Sequence, residues 1–147
     1  MMDTTVQEAI GNLVERMVAG WNGHDARRFA SIFAEDAEFT NVFGITMAGR
    51  RAIEAAHAAI FATMFKDSRL QLTASRCRQL RSDVVVGELR WELTGARDPR
   101  GNEWPARRNS MSFVATADDG CWSVASVHNM DLPPDAAIEA ARTAMKG

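Results

Sequence analysis

The spacing of hydrophobic residues changes once along this chain, and that change limits the possible folds more than any other feature. Up to about residue 65, apolar residues recur at helical spacing, as in Ile10, Leu13 and Met17. From about Leu70 onward, polar and apolar residues alternate over long segments, which is typical of half-buried strands. Helices followed by antiparallel strands predict an α+β fold, with the N-terminal helices on the concave face of a curved antiparallel sheet.

The pattern resolves into individual elements. We predict helices over about 5–19, after Asp25 and over about 49–65, a strand around 37–41, strands over 69–80, 84–95, 106–117 and 121–131, and a last helix over 136–145. Thr5 and Glu8 have the spacing of a capping box at the start of the first helix. With 147 residues, the chain is predicted to form one domain, with its core at about 5–131 and a tail or helix at 132–147.

The stretch AGWNGHD, residues 19–25, lies where the first helical pattern gives way to the second. Gly20 and Gly23 are predicted to end the first helix, and Asp25 suits the N-cap of the next. His24, between the two, is expected to be exposed. These residues therefore favour a structural joint, although Trp21 also continues the apolar stripe and is a candidate cavity residue.

Composition argues against several classes of function. The formal net charge is −2, which gives no general attraction to nucleic acid or to anionic membranes. The N-terminal residues lack the pattern of a signal peptide, and we expect a cytoplasmic protein without a membrane partner. Cys77 and Cys121 lack metal-ligand spacing and are expected to be free thiols. There is no Gly-rich dinucleotide motif, and we expect neither a cofactor nor a metal.

The last hairpin suggests which side chains face the helices. If Asp119 and Gly120 form a two-residue turn, Ala117 lies opposite Trp122 and Met111 lies opposite His128. The apolar residues of this pair of strands then define the concave face, and His128 shares that face. A register slip of one residue would reverse the assignment.

In the predicted strand over 84–95, apolar and charged residues alternate clearly. Leu89, Trp91 and Leu93 are predicted to point inward, whereas Glu88, Arg90 and Glu92 point outward. His57 lies on the apolar face of its helix, where a structural role is the simplest interpretation. The predicted cavity residues are Trp21, Phe33, Asn41, His57, Trp91, Asn109, Met111 and His128. Such a cavity suits a small organic ligand, and His128 is the candidate acid or base near neutral pH.

Several motifs carry a resemblance to a known family. WNGHD, FAEDA, the Gly49-Arg50 pair, His57, Trp122 and the His128-Asn129 pair resemble the SnoaL-like, SgcJ/EcaC-type branch of the nuclear transport factor 2-like superfamily, over about residues 6–130. The resemblance implies the cone-shaped, cystatin-like α+β fold and commonly a homodimer formed through the sheets. It does not imply one activity, because the superfamily includes enzymes and binding domains.

Homodimer formation has support of its own in the sequence. Val84, Val86, Ser112 and Val127 are predicted to lie on the convex face of the sheet, which the helices do not cover. A mixture of apolar and small polar residues on such a face is typical of a protein contact.

Two functions remain open. One is a small-molecule-binding domain, and the other is a cofactor-independent isomerase, dehydratase or hydrolase with His128 as acid or base. The absence of Tyr excludes a ketosteroid-isomerase-type oxyanion hole. A scytalone-dehydratase-like site needs a carboxylate beside His57 and His128, and an epoxide-hydrolase-like site needs an inward Arg, whereas Arg90 is predicted to face outward.

Overall fold

Helices and strands follow the predicted order, with one additional strand. The computed structural model describes residues 2–147. Its elements are α1 (Thr4–Asn22), α2 (Ala26–Ala30), β1 (Phe33–Thr40), β2 (Thr46–Ala48), α3 (Arg50–Phe61), β3 (Arg69–Arg81), β4 (Val84–Thr94), β5 (Arg107–Asp118), β6 (Cys121–Asp131) and α4 (Asp135–Met145). The short strand β2 was not predicted, because three residues are too few to show a periodicity.

The sheet is curved and mixed rather than wholly antiparallel. Its six strands are ordered β2-β1-β6-β5-β4-β3, and β1 runs parallel to β6 while all other neighbours are antiparallel. Local sequence could not show this pairing, because it joins segments that are about 90 residues apart. Helices α1–α3 pack on the concave face, which confirms the predicted α+β arrangement.

The two predicted helix starts have different outcomes. The N-cap of α1 is Asp3, whose carboxylate accepts a hydrogen bond of 2.7 Å from the Thr5 backbone N–H. The predicted capping box is therefore wrong, since Thr5 already lies in the first turn. Asp25 caps α2 as predicted, and it accepts a bond of 3.0 Å from the Arg28 N–H.

Gly20 does not end α1, which continues to Asn22. Instead, Gly20 lies directly against the backbone of α2. A Cβ atom at this position would lie 2.5 Å from the backbone nitrogen of Phe29 and 2.7 Å from its Cα. Only a residue without a side chain allows this approach.

The residues that follow Gly20 anchor the connection between α3 and β3. The Trp21 indole N–H donates to the Ser68 hydroxyl at 3.0 Å. The Asn22 side chain accepts from the Leu70 N–H at 2.7 Å and donates to the Leu70 carbonyl at 3.0 Å, much as a neighbouring strand would. His24 is half-buried rather than exposed, because its Nε2 lies 2.9 Å from the Ser68 carbonyl oxygen. The WNGHD motif is therefore a structural anchor.

A bulge in β6 changes the predicted register of the last hairpin. Ala117 pairs with Trp122 as predicted, but Ala125 is an extra residue between the pairs Ala115–Val124 and Val114–Ser126. Beyond this bulge every β6 side chain faces the opposite side from the prediction. The predicted faces of Val127, His128 and Asn129 are wrong for this reason.

His128 lies opposite Ser112 and is exposed on the convex face. Val127, predicted on the convex face, is buried in the core. In β4, which contains no bulge, Leu89, Trp91 and Leu93 are buried as predicted.

The last helix, α4, lies outside the core. None of its residues is buried, and its first turn is tied to the sheet by an ion pair of 2.7 Å between Arg108 and Asp135. No helix in the described part of the chain is long and apolar enough to cross a membrane.

Candidate functional site

A cavity of about 160 Å³ lies between the sheet, α3 and the β1–β2 hairpin. Its walls are mostly apolar, and three of the four tryptophans of the chain contribute to them. The apolar lining residues are Trp21, Phe39, Val42, Phe43, Met47, Ala56, Ile60, Met64, Phe65, Leu70, Trp91, Leu93 and Trp104. The polar lining residues are Asn41, His57, Arg107, Asn109 and Asn129. Among residues 2–147, no Asp or Glu side chain lines this cavity.

His57 is held in one neutral form. It is only 3% exposed, its ring stacks on Phe29 at 4.2 Å between centroids, and its Nδ1 lies 2.7 Å from the Ile53 carbonyl oxygen. Burial lowers the pKa of His57 from 6.5 to about 4, and the bond to Ile53 only partly opposes this effect. Because the carbonyl can only accept, the proton is on Nδ1 and Nε2 carries the lone pair.

Asn41 has a structural role at the entrance of the cavity. Its side-chain oxygen accepts from the backbone N–H groups of Phe43 and Ile45, both at 3.0 Å, and so closes the β1–β2 hairpin. The side chains of Phe43 and Ile45 are exposed at the tip of that hairpin.

Arg107 is the only cationic residue among those that line the cavity. Its guanidinium lies over the Trp104 ring, with the Cζ atom 5.0 Å from the ring centroid. Its Nη2 donates to the Asp131 carboxylate at 3.3 Å, and the Asn109 amide donates to the same carboxylate oxygen at 2.5 Å. The Nε–H of Arg107 is buried and has no hydrogen-bond partner within residues 2–147.

Asn129 reaches the cavity because of the bulge at Ala125. It lies opposite Met111 in the sheet, one position beyond the exposed His128. The side-chain oxygen of Asn129 is buried and, like Arg107 Nε, finds no partner within the described residues. Buried polar atoms without partners are uncommon in proteins, and each calls for a physical explanation.

Most of the predicted cavity residues line the cavity, and three do not. Trp21, Asn41, His57, Trp91 and Asn109 are among its walls. Phe33 and Met111 are instead buried in the core: Phe33 packs against Phe29 and Phe39, and Met111 lies beside residues of α1 such as Leu13. His128 is on the other face of the sheet, so its predicted role as the acid or base of this cavity is wrong.

Sequence reasoning missed Arg107, Asn129 and Trp104. Arg107 could have been found, because it lies two residues before Asn109 in the same strand and so shares the inward face of Asn109 and Met111. Asn129 belongs to the His128-Asn129 pair, but a hairpin register without a bulge puts His128 on the concave face and therefore turns Asn129 away from the cavity. Trp104 lies in the irregular connection between β4 and β5, where no periodicity predicts which way its side chain points.

The convex face carries a second, more open depression of about 530 Å³. Glu88 lies there between two arginines, each 2.8 Å away: Arg76 and Arg90. These hydrogen bonds lower the pKa of Glu88 from 4.5 to about 2. Arg90 therefore faces outward as predicted and takes no part in the cavity. His128 lines this depression together with Cys77, and both thiols of the chain are free.

No group of three or more His, Cys, Asp or Glu side chains within residues 2–147 is arranged to hold a metal ion. The cavity offers apolar surface, three asparagine side chains, the neutral imidazole of His57 and the guanidinium of Arg107.

The family follows from comparison with known proteins. The model of the SnoaL-like domain matches residues 14–124, which is most of the chain. The chain belongs to the SnoaL-like domain family. This SnoaL-like protein has no match among proteins with curated descriptions. Membership of the SgcJ/EcaC-type branch stays a prediction.

Solved structures agree with this assignment. An uncharacterised protein with a cystatin-like fold from Caulobacter vibrioides is 28% identical, with a TM-score of 0.83, and the match covers 90% of this chain and 94% of that one. A cystatin-like domain of unknown function from Nostoc punctiforme is 21% identical, with a TM-score of 0.82 and coverage of 99% and 95%. A hexachlorocyclohexane dehydrochlorinase of type 2 is 20% identical, with a TM-score of 0.75 and coverage of 87% and 89%. The last two matches show the shared fold alone.

Proposed function

We propose that this SnoaL-like protein binds a small, mostly apolar organic molecule in the cavity between α3 and the sheet. The observation that carries the proposal is a cavity of about 160 Å³ whose lining is dominated by aromatic and aliphatic side chains. Ligand sites are typically concave and apolar, with a few polar groups that fix orientation. Arg107, Asn109 and Asn129 are such groups in this cavity.

Binding is favoured over catalysis because, within residues 2–147, no Asp or Glu side chain lines the cavity beside His57. Proton transfer by a histidine is usually supported by a carboxylate that orients the ring and stabilises its charged form. In this cavity a backbone carbonyl orients His57, and the rings around His57 are uncharged. A carbonyl fixes the tautomer but stabilises positive charge much less than a carboxylate does.

A cofactor-independent enzyme is the second candidate, and the neutral form of His57 favours it. A lone pair on Nε2 near an apolar ligand is available to remove a proton. One protein with this fold is a dehydrochlorinase, so an elimination reaction is compatible with such a scaffold. If the chain is an enzyme, His57→Gln should reduce turnover by about a hundredfold or more and largely preserve binding.

Filling the cavity should weaken ligand binding. Ala56 lines the cavity from α3, whereas Ala59, on the same helix, is exposed. We expect the wild-type protein to bind m-xylene, followed by tryptophan fluorescence and by NMR. Ala56→Phe should weaken that binding by about tenfold or more, equivalent to about 1.4 kcal/mol. Ala59→Phe is the matched control and should bind like the wild type. Equal binding by the two variants, or no binding by the wild type, would contradict the proposal.

We also propose a homodimer formed through the convex face of the sheet. Val86 and Val114 are directly paired there, half-buried in the single chain, and Val84 continues the row on the same face. Among residues 2–147, these three valines are not part of the hydrophobic core that packs against the helices. An apolar row beside the open depression is the kind of surface that a second copy would cover.

Light scattering at micromolar concentration should therefore report about twice the chain mass of 16.2 kDa. Val86→Arg should give a monomer, because it places a charge in the centre of the contact. Ala58→Arg, on the exposed side of α3, is the control and should leave the dimer intact. A wild-type monomer at all concentrations would refute this assembly.

A further inference from the structure

The polar groups of the cavity restrict what its ligand can be. Two buried side-chain atoms lack a hydrogen-bond partner within residues 2–147: the Nε of Arg107, which is a donor, and the Oδ1 of Asn129, which is an acceptor. An unpaired buried donor or acceptor costs about 1–3 kcal/mol. Both residues line the same cavity, so one ligand bound there contacts both side chains.

We infer that the cavity takes an uncharged, single-ring compound that carries a hydrogen-bond acceptor for Arg107 and a hydrogen-bond donor for Asn129. This inference rests on the proposed ligand-binding function and specifies the class of ligand. The ring fills the apolar part of the cavity, and the polar edge of the compound faces the two side chains.

The absence of ligand charge follows from the surroundings of Arg107. Its positive charge is already balanced by Asp131, which also accepts a hydrogen bond from Asn109. An anionic ligand would add an unbalanced negative charge to an otherwise apolar cavity, and the desolvation of that charge is costly. A carbonyl or hydroxyl oxygen accepts from Arg107 without this cost.

Arg107 is also held in place before any ligand arrives. Trp104 supports one face of the guanidinium, and Asp131 binds its Nη2 end. The Nε–H is therefore a fixed donor, and a hydrogen bond to it loses little side-chain freedom. Such a donor selects for ligand orientation as well as for ligand chemistry.

The size of the ligand follows from the volume of the cavity. A cavity of about 150 Å³ in another protein holds one benzene molecule. The present volume of about 160 Å³ is therefore suited to one six-membered ring, with substituents extending toward the open end.

Three compounds of nearly equal shape test the inference: resorcinol, m-cresol and m-xylene, which carry two, one and no hydroxyl groups. Their binding is measured by calorimetry and NMR on the wild-type protein and on two variants. Asn129→Leu removes the acceptor, and Arg107→Lys keeps the charge that balances Asp131 but removes the Nε donor. Each variant should lower the affinity for resorcinol relative to m-xylene by about tenfold. Arg108→Lys, whose side chain contacts Pro133 and Asp135 instead, should leave the ratio unchanged.

The outcomes separate this inference from the proposed function. If m-xylene binds and Ala56→Phe removes that binding, but neither polar variant changes the resorcinol ratio, the cavity binds ligands and the inference is wrong. Benzoate serves as the charged probe, and tighter binding of benzoate than of resorcinol would overturn the requirement for an uncharged ligand. If none of the compounds binds the wild-type protein, the proposed function itself fails. Retained m-xylene binding shows that each variant is folded.

Discussion

Gly20→Ala should destabilise the protein by about 3 kcal/mol, because it places a methyl group against the backbone of α2. The new Cβ would lie 2.5 Å from the Phe29 nitrogen and 2.7 Å from the Phe29 Cα. Since these are backbone atoms, no side-chain rotation relieves the overlap, and the two helices must move apart. Phe29 is one of the most buried residues of the core, so the separation also disturbs its packing. Urea unfolding measures the change in the free energy of unfolding.

Gly11 provides a matched control in the same helix. It is exposed, and a Cβ there would meet no other atom within 4 Å. Gly11→Ala should therefore stabilise the protein by about 1 kcal/mol, because alanine has the higher helix propensity. Equal effects of the two substitutions would show that helix propensity, and not the α1–α2 contact, determines the outcome at Gly20.

Acidification should destabilise the fold through His57. The pKa of this residue is about 4 in the folded protein, against an ordinary value of 6.5 for an exposed histidine. Between these values the unfolded chain binds a proton that the folded protein excludes, so stability falls as the pH drops through this range. At about 1.4 kcal/mol per pKa unit, the full loss is about 3–4 kcal/mol.

The measurement compares urea unfolding near pH 7 with unfolding near pH 4.5, in the wild type and in His57→Phe. The variant keeps a ring stacked on Phe29 and removes the titrating group. Acidification should therefore lower its free energy of unfolding by about 2–3 kcal/mol less than that of the wild type. His128→Gln is the matched control, because it removes an exposed histidine and leaves the buried ring of His57 in place. Identical pH dependence in the wild type and His57→Phe would show that His57 is not held neutral.

The elements with uninterrupted periodicity were predicted well. In β4, the alternation of Leu89, Trp91 and Leu93 with charged residues gave both the strand and its buried face. The apolar stripe of α3 likewise placed His57 inside the protein. In such segments the residues nearby in sequence are enough to predict which side chains are buried, because one face of the helix or strand must be apolar.

The candidate site was predicted only in part. Trp21, His57, Trp91 and Asn109 lie on elements whose phase is clear, and they line the cavity. The unpaired polar atoms that define the proposed ligand chemistry were not identified, because whether a donor finds a partner depends on residues that are distant in sequence.

The sequence by itself thus determined the order of the elements, the face that each regular strand buries, and the resemblance to SnoaL-like proteins. Tertiary structure alone decided the parallel pairing of β1 with β6 and the bulge at Ala125. Small residues around Ala125 carry no local signal for an extra residue, and the pairing partners on both sides of β6 set its register. This one residue turns His128 outward and Asn129 inward, because side chains in a strand alternate with a period of two.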